Sequence, residues 1–320
     1  MTKISDSKNR IPFMMISIII INYKTPALIS RCLESIEDCN FKDFEVIIID
    51  NNSQDNSEEL ITKQFPKIKW ISNSYNAGFG RANNIGVADA KGEFILLLNS
   101  DMILQQDTLA KSLNILLNDT SIGALGCRLV NEDGTDQKSV YYHIGDYSGV
   151  LKDNLFYNYF FYKQPTKIKG IMGAFMLMPK TVFEEVGGFD PDFFMYAEEL
   201  DLCSRIAKAG YKIEFTDATS AIHKHGGSSS SVRWSQRQNL LSNALLYLKI
   251  KGVVGYLLYH IFFQMNTISN FLLMWKLDKK YRKDFWNAQG DYYINYLYYI
   301  QIPFLYSKKQ GNGKRFLRRS

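Results

Sequence analysis

The sequence predicts an α/β protein: a doubly wound, mostly parallel sheet followed by a C-terminal helical extension. Over the first hundred residues, short β-branched apolar runs alternate with segments of helical period. Each run ends in a polar loop, the arrangement that places ligands at the carboxyl edge of such a sheet. After Ser231 the pattern changes to long helical segments of mixed polarity. At 320 residues, 46% hydrophobic and 22% charged, the chain is long enough for one large domain and an appendage.

The run MISIIII at 15–21 has the composition of a strand covered on both faces. The longer stretch FMMISIIII has the apolar core of a signal peptide. Asn22, Tyr23 and Lys24 follow it with no small-residue cleavage site, so it reads as a buried strand. Pro26 opens a helix through ALISRCLESIED, where its missing N–H costs nothing. FEVIIID (44–50), a helix from Asn56, IKWIS (68–72), a helix over GRANNIGVADA and EFILLLN (93–99) complete the alternation. The loops at the strand ends hold Asn22 with Tyr23, Asp50 with Asn51 and Asn52, residues 73–76, and Asn99 with Ser100 and Asp101. A second section, 121–227, has a Tyr/Phe-rich stretch at 141–162 that stacks sugars, covers a cleft or simply fills core. In it IKGIMGAFMLMPK reads as a buried strand. GVVGYLLYHIFFQMNTISNFLLMW (252–275) has the length of a membrane span, but His260, Gln264, Asn266 and Asn270 interrupt it. It reads as a packing or interfacial helix ahead of a spanning one.

The net charge is +6, with a basic block, KKQGNGKRFLRRS, at the C-terminal end. That block suits an anionic partner such as a membrane surface or is simply solvated, and no motif supports nucleic acid. Cys32, Cys39, Cys127 and Cys203 form no CxxC pair and no metal spacing, which points to free thiols in a reducing compartment.

AGFGRANNIG (77–86) resembles a dinucleotide-binding glycine loop, but that loop must follow the first strand and precede its acid by about 20 residues. Here NYKTP follows the first strand, Asp50 precedes the glycines, and Asn83 stands in place of the third glycine. A nicotinamide enzyme is therefore excluded. Asp50 itself, at the end of a buried strand, accepts hydrogen bonds from a nucleotide or starts a turn. Asn99 and Asp101 offer oxygens at i and i+2 for a hard cation shared with phosphates, although NSD is also an ordinary turn. In AIHKHGG, His223 and His225 fall on one side of an extended chain, as ligands or as solvated side chains. A histidine beside Asp101 would favour Mn2+ over Mg2+.

In FFMYAEELDLCSR, three carboxylates lie within four residues. If 198–210 is helical, Glu198, Asp201, Arg205 and Lys208 share a polar stripe, with Asp201 and Arg205 as an i,i+4 ion pair. The anions there complement the helix dipole. Glu199 instead heads the stripe of Leu202, Cys203 and Ile206 that faces the core, the position of an ionised but water-shielded base.

ISIIIINYKTPALISRCLESI, VIIIDNNSQDNS, SNSYNAGFGRANNIGVADAKGEFILLLNSD, GAFMLMPKTVFEEVGGFDPDFFMYAEELDLCSRIAKAGYKI and IHKHGGSS together resemble glycosyltransferase family 2, in its rhamnosyltransferase-like branch of bacterial surface-polysaccharide assembly. The resemblance covers about 15–230. It implies a GT-A fold, a nucleotide-sugar donor, Mn2+ or Mg2+, and single displacement with inversion. Asp50 matches the residue that reads the base. Asn22 and Asn52 lie in the same donor loops, and Asn76 and Arg81 fall in the N-x-G-F-x-x-A-N donor segment. Asp101 matches the last Asp of the DXD motif, with Asn99 replacing the first, and His223 matches the histidine that completes the metal site. Of the acidic pair Glu198 and Glu199, the second matches the general base, as Glu where Asp is usual.

The implied arrangement is a catalytic domain at 1–230, with a donor half at 1–101 and an acceptor half at 102–230, and a helical, membrane-associated region at 231–320. The implied partners are a dTDP- or UDP-linked donor and a saccharide or lipid-linked acceptor, met at the inner face of the cytoplasmic membrane. The competing reading is a nucleotide-sugar-binding protein without turnover, which would share Asp50 and Asp101 but tolerate loss of Glu199. A nucleotidyltransferase would need more carboxylates near Asp101 or a basic phosphate loop, and the sequence has neither.

Overall fold

The computed structural model describes residues 15–151, 163, 165–224 and 232–272. An eight-stranded sheet forms its centre, in the order β3-β2-β1-β4-β9-β6-β10-β5. The first four strands along the chain are β1 (Ile16–Asn22), β2 (Phe44–Asp50), β3 (Lys69–Ser72) and β4 (Phe94–Leu98), all parallel. Helices α1 (Pro26–Glu37), α2 (Ser57–Gln64) and α3 (Phe79–Asp89) connect them. The β-branched run behaves as its composition requires. Ile16, Ile18 and Ile20 enter the core on one face, beneath α1, and Ile19 enters the core on the other, against α3.

The second half adds β5 (Met102–Leu104), α4 (Thr108–Asn118), β6 (Ile122–Val130), β7 (Val140–Tyr141), α5 (Tyr147–Leu151), β8 (Gly170–Ile171), β9 (Phe175–Pro179), α6 (Lys180–Glu185), α7 (Glu198–Lys208) and β10 (Lys212–His223). Strand β9 is antiparallel to β4 and β6, and β5 is antiparallel to β10, so the sheet is mixed on this side. The stretch expected as one strand, IKGIMGAFMLMPK, is two: β8 pairs with β7 in a separate small sheet, and a turn at 172–174 leads into β9.

The helical segments expected after Ser231 begin at Val232 as one long helix. Helix α8 (Val232–Leu272) is continuous except at Gly252, whose φ of 68° breaks the helical path, a conformation a residue with a Cβ rarely adopts. Its first half packs Leu241, Leu245 and Leu248 against Phe193, Ala197 and Leu200. The remaining Tyr/Phe-rich residues after Leu151, His225 and the basic C-terminal block lie outside the described residues. The four cysteines are free and buried.

Candidate active site at the carboxyl edge of the sheet

The parallel register sets Asn22 of β1 level with Asp50 of β2, and Asp50 level with Ser72 of β3. Strand order reverses between β1 and β4, which opens a crevice above these ends. In it Asn22 Nδ2 donates to Asp50 Oδ1 at 2.7 Å and to Ser53 Oγ at 3.1 Å. Ser53 gives Asp50 two more hydrogen bonds, from its N–H at 3.0 Å and its hydroxyl at 2.5 Å. Asp50 is thus a fixed carboxylate at the lip of the crevice, and Asn22 is its fully buried support. Thr25 joins the loops after β1 and β4, with its hydroxyl 3.3 Å from Ser100 Oγ.

Asn51, which the sequence reading passed over in favour of Asn52, is the structural clamp of this edge. Its Nδ2 donates to Gly78 O at 2.9 Å, and its Oδ1 accepts from Asn73 Nδ2 at 3.0 Å and Ala77 N–H at 3.2 Å. Asn52 takes a left-handed φ of 63°, a conformation asparagine tolerates better than most residues. Asn76 Oδ1 accepts from Gly78 N–H at 3.0 Å and shapes the entry to α3. Arg81 Nε donates to Pro191 O at 2.6 Å, so it ties the start of α3 to the loop that precedes α7.

Asp101 and His223 meet as the sequence suggested, Oδ1 to Nε2 at 3.5 Å, both largely buried. Two ligands each about 2.1 Å from one ion lie roughly 3–3.5 Å apart, so the pair fits one shared divalent cation. Gln137, which nothing in the sequence marks, sets the ring. Its Oε1 lies 2.9 Å from His223 Nδ1, and its Nε2 donates to His223 O and to Asn131 Oδ1, both at 2.6 Å. With Nδ1 engaged by Gln137, Nε2 is the ring nitrogen turned to Asp101. No group of three His, Cys, Asp or Glu side chains gathers among the described residues, so a cation here would complete its shell with water and phosphate oxygens. Asn99 contributes its backbone: its N–H donates to Ala174 O at 3.0 Å. That bond brings the loop of Asp101 to the 172–174 turn. A Cβ on Gly173 would lie 3.6 Å from Glu199 Cβ, so the turn also abuts the acidic helix.

Helix α7 starts from an unusual approach, with Tyr196 and Ala197 both left-handed at φ 69° and 63°. Such strain persists only where neighbours impose it. Here α8 holds the approach from one side: Ser242 Oγ donates to Met195 O at 2.7 Å, and Lys249 Nζ reaches Asp190 at 2.5 Å and Asp192 at 2.8 Å. Burial disfavours the Lys249 charge, but the two aspartates outweigh it and raise its pKa. From the other side, Phe79 N–H donates to Phe194 O at 2.9 Å.

The stripe expected for Glu198 and Asp201 is not solvated. Glu198, Glu199 and Asp201 are 4%, 8% and 5% exposed, because α8 and the approach loop cover the first turn. Asp201 has the expected partner, Arg205 Nε at 2.8 Å. Glu199 Oε1 accepts from the Tyr141 hydroxyl at 3.1 Å. Burial raises the Glu199 pKa, while hydrogen bonds from backbone and Tyr141, and the charge of Lys138, pull the other way. The Glu198 pKa is raised well above the usual range by burial and by its neighbour Glu199, and its Oε2 finds no hydrogen-bond partner among the described residues. Burial and the neighbouring charge thus disfavour ionisation of Glu198, while Glu199 has groups that favour it.

Glu199 also lines a cavity of about 1080 Å3 between β7, α5, α7 and α8. Tyr141, Tyr196, Tyr247, Tyr259 and Phe263 give it aromatic walls, and Gln137 stands at its border. Asp50 and Asp101 are not among its lining residues.

The family model of glycosyl transferase family 2 matches residues 17–187, more than half of the chain. The chain belongs to that family. A second model, described as the N-terminal domain of galactosyltransferase, matches residues 155–226 of this glycosyltransferase. Rhamnosyltransferase WbbL of Escherichia coli K12 is 28% identical over 266 residues, 72% of this chain and 96% of the relative. The N-acetylglucosaminyl-diphospho-decaprenol L-rhamnosyltransferase of Mycobacterium tuberculosis is 22% identical over 236 residues, 65% and 76% of the two chains. The fold is shared with the Pyrobaculum calidifontis mannosyltransferase PcManGT, solved with GDP-Man and Mn2+: TM-score 0.56, 16% identity, 92% of this chain and 88% of that one. The enzyme is thus a family 2, rhamnosyltransferase-like glycosyltransferase with a GT-A fold.

Proposed function

We propose that the enzyme is an inverting transferase that moves a sugar from a nucleotide-sugar donor to a saccharide or lipid-linked acceptor during cell-surface polysaccharide synthesis. Catalysis falls to 1–230, with donor recognition in 1–101 and acceptor recognition in 102–230, while 231–320 supports and anchors. Asp50, braced by Asn22, accepts hydrogen bonds from the nucleotide, with Asn52, Asn76 and Asn99 at the crevice edge. Arg81 joins this donor segment to the acidic helix. Asp101 and His223 would hold a Mn2+ or Mg2+ ion, which supplies positive charge beside the leaving diphosphate. Rhamnose is the sugar in the names of the two relatives, and dTDP- and UDP-linked donors are the two candidates. The cytoplasmic face of the membrane, where nucleotide sugars are available, is the working site.

The observation that carries this reading is Glu199. It is a buried carboxylate that lines the aromatic-walled cavity and abuts the 172–174 turn, which meets the loop of Asp101, and burial raises its pKa. An acceptor sugar stacked in that cavity presents a hydroxyl to Glu199. Its oxygen attacks the anomeric carbon from the face opposite the diphosphate. The new C–O bond forms as the carbon–phosphate oxygen bond breaks, the electron pair leaves with the nucleoside diphosphate, and the hydroxyl proton passes to Glu199. Glu198, whose ionisation is disfavoured by burial and by the charge of Glu199, is the supporting member of the catalytic pair.

Glu199→Gln tests the assignment. With Mn2+ and a panel of nucleotide sugars, the variant is expected to lose about 10²–10⁴-fold in transfer. Its donor affinity, read by calorimetry, stays within a few-fold of the parent. Near-normal turnover in the variant would remove Glu199 from the reaction.

A further inference from the structure

Beyond the break at Gly252, α8 carries two apolar faces. The inner one is seated on the domain. Tyr259 stacks on Tyr247 with ring centres 4.6 Å apart, Phe262 stacks on Tyr147 at 4.8 Å, and Asn266 Nδ2 donates to Val150 O at 3.4 Å. The outer face exposes Val254 (69%), Leu257 (54%), Ile261 (53%), Met265 (53%) and Ile268 (59%). Steps of three and four residues place these five on one stripe, roughly 20 Å long at 1.5 Å per residue. An uncovered apolar stripe of that length marks an interface.

The charge around it indicates the partner. Helix α8 contains no Asp or Glu, and Lys251 stands exposed at the start of the stripe. Immediately past α8 the sequence supplies Lys276, Lys279, Lys280, Arg282 and Lys283 against Asp278 and Asp284, a net basic stretch. A second copy of the same face would set cations against cations, whereas anionic lipid pairs with them and accepts the apolar stripe. The inner-face contacts keep the helix lying along the domain, so it rests in the surface instead of crossing it.

We propose that the outer face of α8, residues 254–268, docks in the plane of an anionic membrane. Tyr259 and Phe263, on the opposite face of the same helix, line the cavity at Glu199, so docking holds that cavity beside the headgroups. Docking and sugar transfer are separable, since the stripe touches none of the residues assigned to the reaction.

The test is co-sedimentation of the full-length protein with phosphatidylcholine vesicles, with and without phosphatidylglycerol. The parent protein is expected to bind only the vesicles that contain phosphatidylglycerol, and less as salt rises. Leu257→Glu, Ile261→Glu and Met265→Glu together are expected to cut the bound fraction about tenfold or more. Donor turnover, which none of these residues serves, is unchanged in that variant and shows that it is folded. Ile261→Ser with Met265→Ser, a milder pair, gives an intermediate loss. Absence of binding to anionic vesicles at low salt would overturn the proposal, as would equal binding by parent and variants. A lipid-independent dimer in light scattering that the substitutions dissociate would overturn it in favour of a second copy.

Discussion

Glu198 and Glu199 are neighbours in sequence, yet different groups face them. Glu199 receives the Tyr141 hydroxyl and the field of Lys138, which sits 3.8 Å over the Tyr141 ring. Both favour the ionised form against a burial that disfavours it. Turnover that requires ionised Glu199 should therefore rise with pH through a pKa above the ordinary carboxylate range. Tyr141→Phe removes one of the groups that hold that pKa down. The acid limb of the kcat/KM profile is then expected to move upward by roughly one pH unit, a charged hydrogen bond being worth about 1.5–3 kcal/mol. A limb that stays in place would detach Tyr141 from Glu199. Helix phase alone singles out Glu199 from its two acidic neighbours. Tyr141 and Gln137 stand 58 and 86 residues from the side chains they orient, and only the pairing of β7 with β8 and the return of β10 brings them there.

At the scale of elements, the segment AGFGR has a role that its glycines only half reveal. Gly78 adopts φ 81° and ψ −176°, a region reserved for glycine, and a Cβ there would overlap the Phe194 carbonyl. The glycine exists so that the approach to α7 can lie against the start of α3. The order of acid and glycines, with Asn83 in place of the third glycine, argues against a dinucleotide loop, but a contact between residues 78 and 194 leaves no local trace. Gly78→Ala combines backbone strain with an overlap that cannot relax into a side-chain rotamer, and each costs about 1–3 kcal/mol. We expect a loss of roughly 2–4 kcal/mol in a urea titration, with transfer falling more than donor binding because the displaced element carries Glu199. A stability within about 0.5 kcal/mol of the parent would show that the loop is not pinned there. The burial of Glu198 and Asp201 escaped helix-phase reasoning for a related reason: the cover comes from α8, which begins 24 residues after Lys208, the last residue of α7.

For the whole molecule, the alternation of β1 to β4 with α1 to α3 was readable because each strand is an apolar run and each helix has its own period. The mixed half was less so, since β9 and β5 run antiparallel through contacts no local pattern encodes. What the topology achieves is convergence: loops after β1, β2 and β4 and the end of β10 all reach one edge, with Asp50 on one side and Asp101 with His223 on the other. A nucleoside diphosphate with a divalent cation would engage both sides at once. Binding to the folded chain alone stabilises it by RT ln(1 + [L]/Kd), about 2.7 kcal/mol at a hundredfold excess over Kd. Melting the enzyme with UDP or dTDP and Mn2+ should therefore raise Tm, and the nucleotide with the larger shift identifies the donor class. Asp50→Ala is expected to weaken the shift with and without Mn2+, because it removes a contact to the nucleotide. His223→Ala and Gln137→Ala are expected to remove only the Mn2+-dependent part, the second by releasing the ring that Gln137 fixes. An unchanged Mn2+-dependent shift in His223→Ala would place the cation elsewhere, and the pairing of Asp101 with His223 would then be a structural contact.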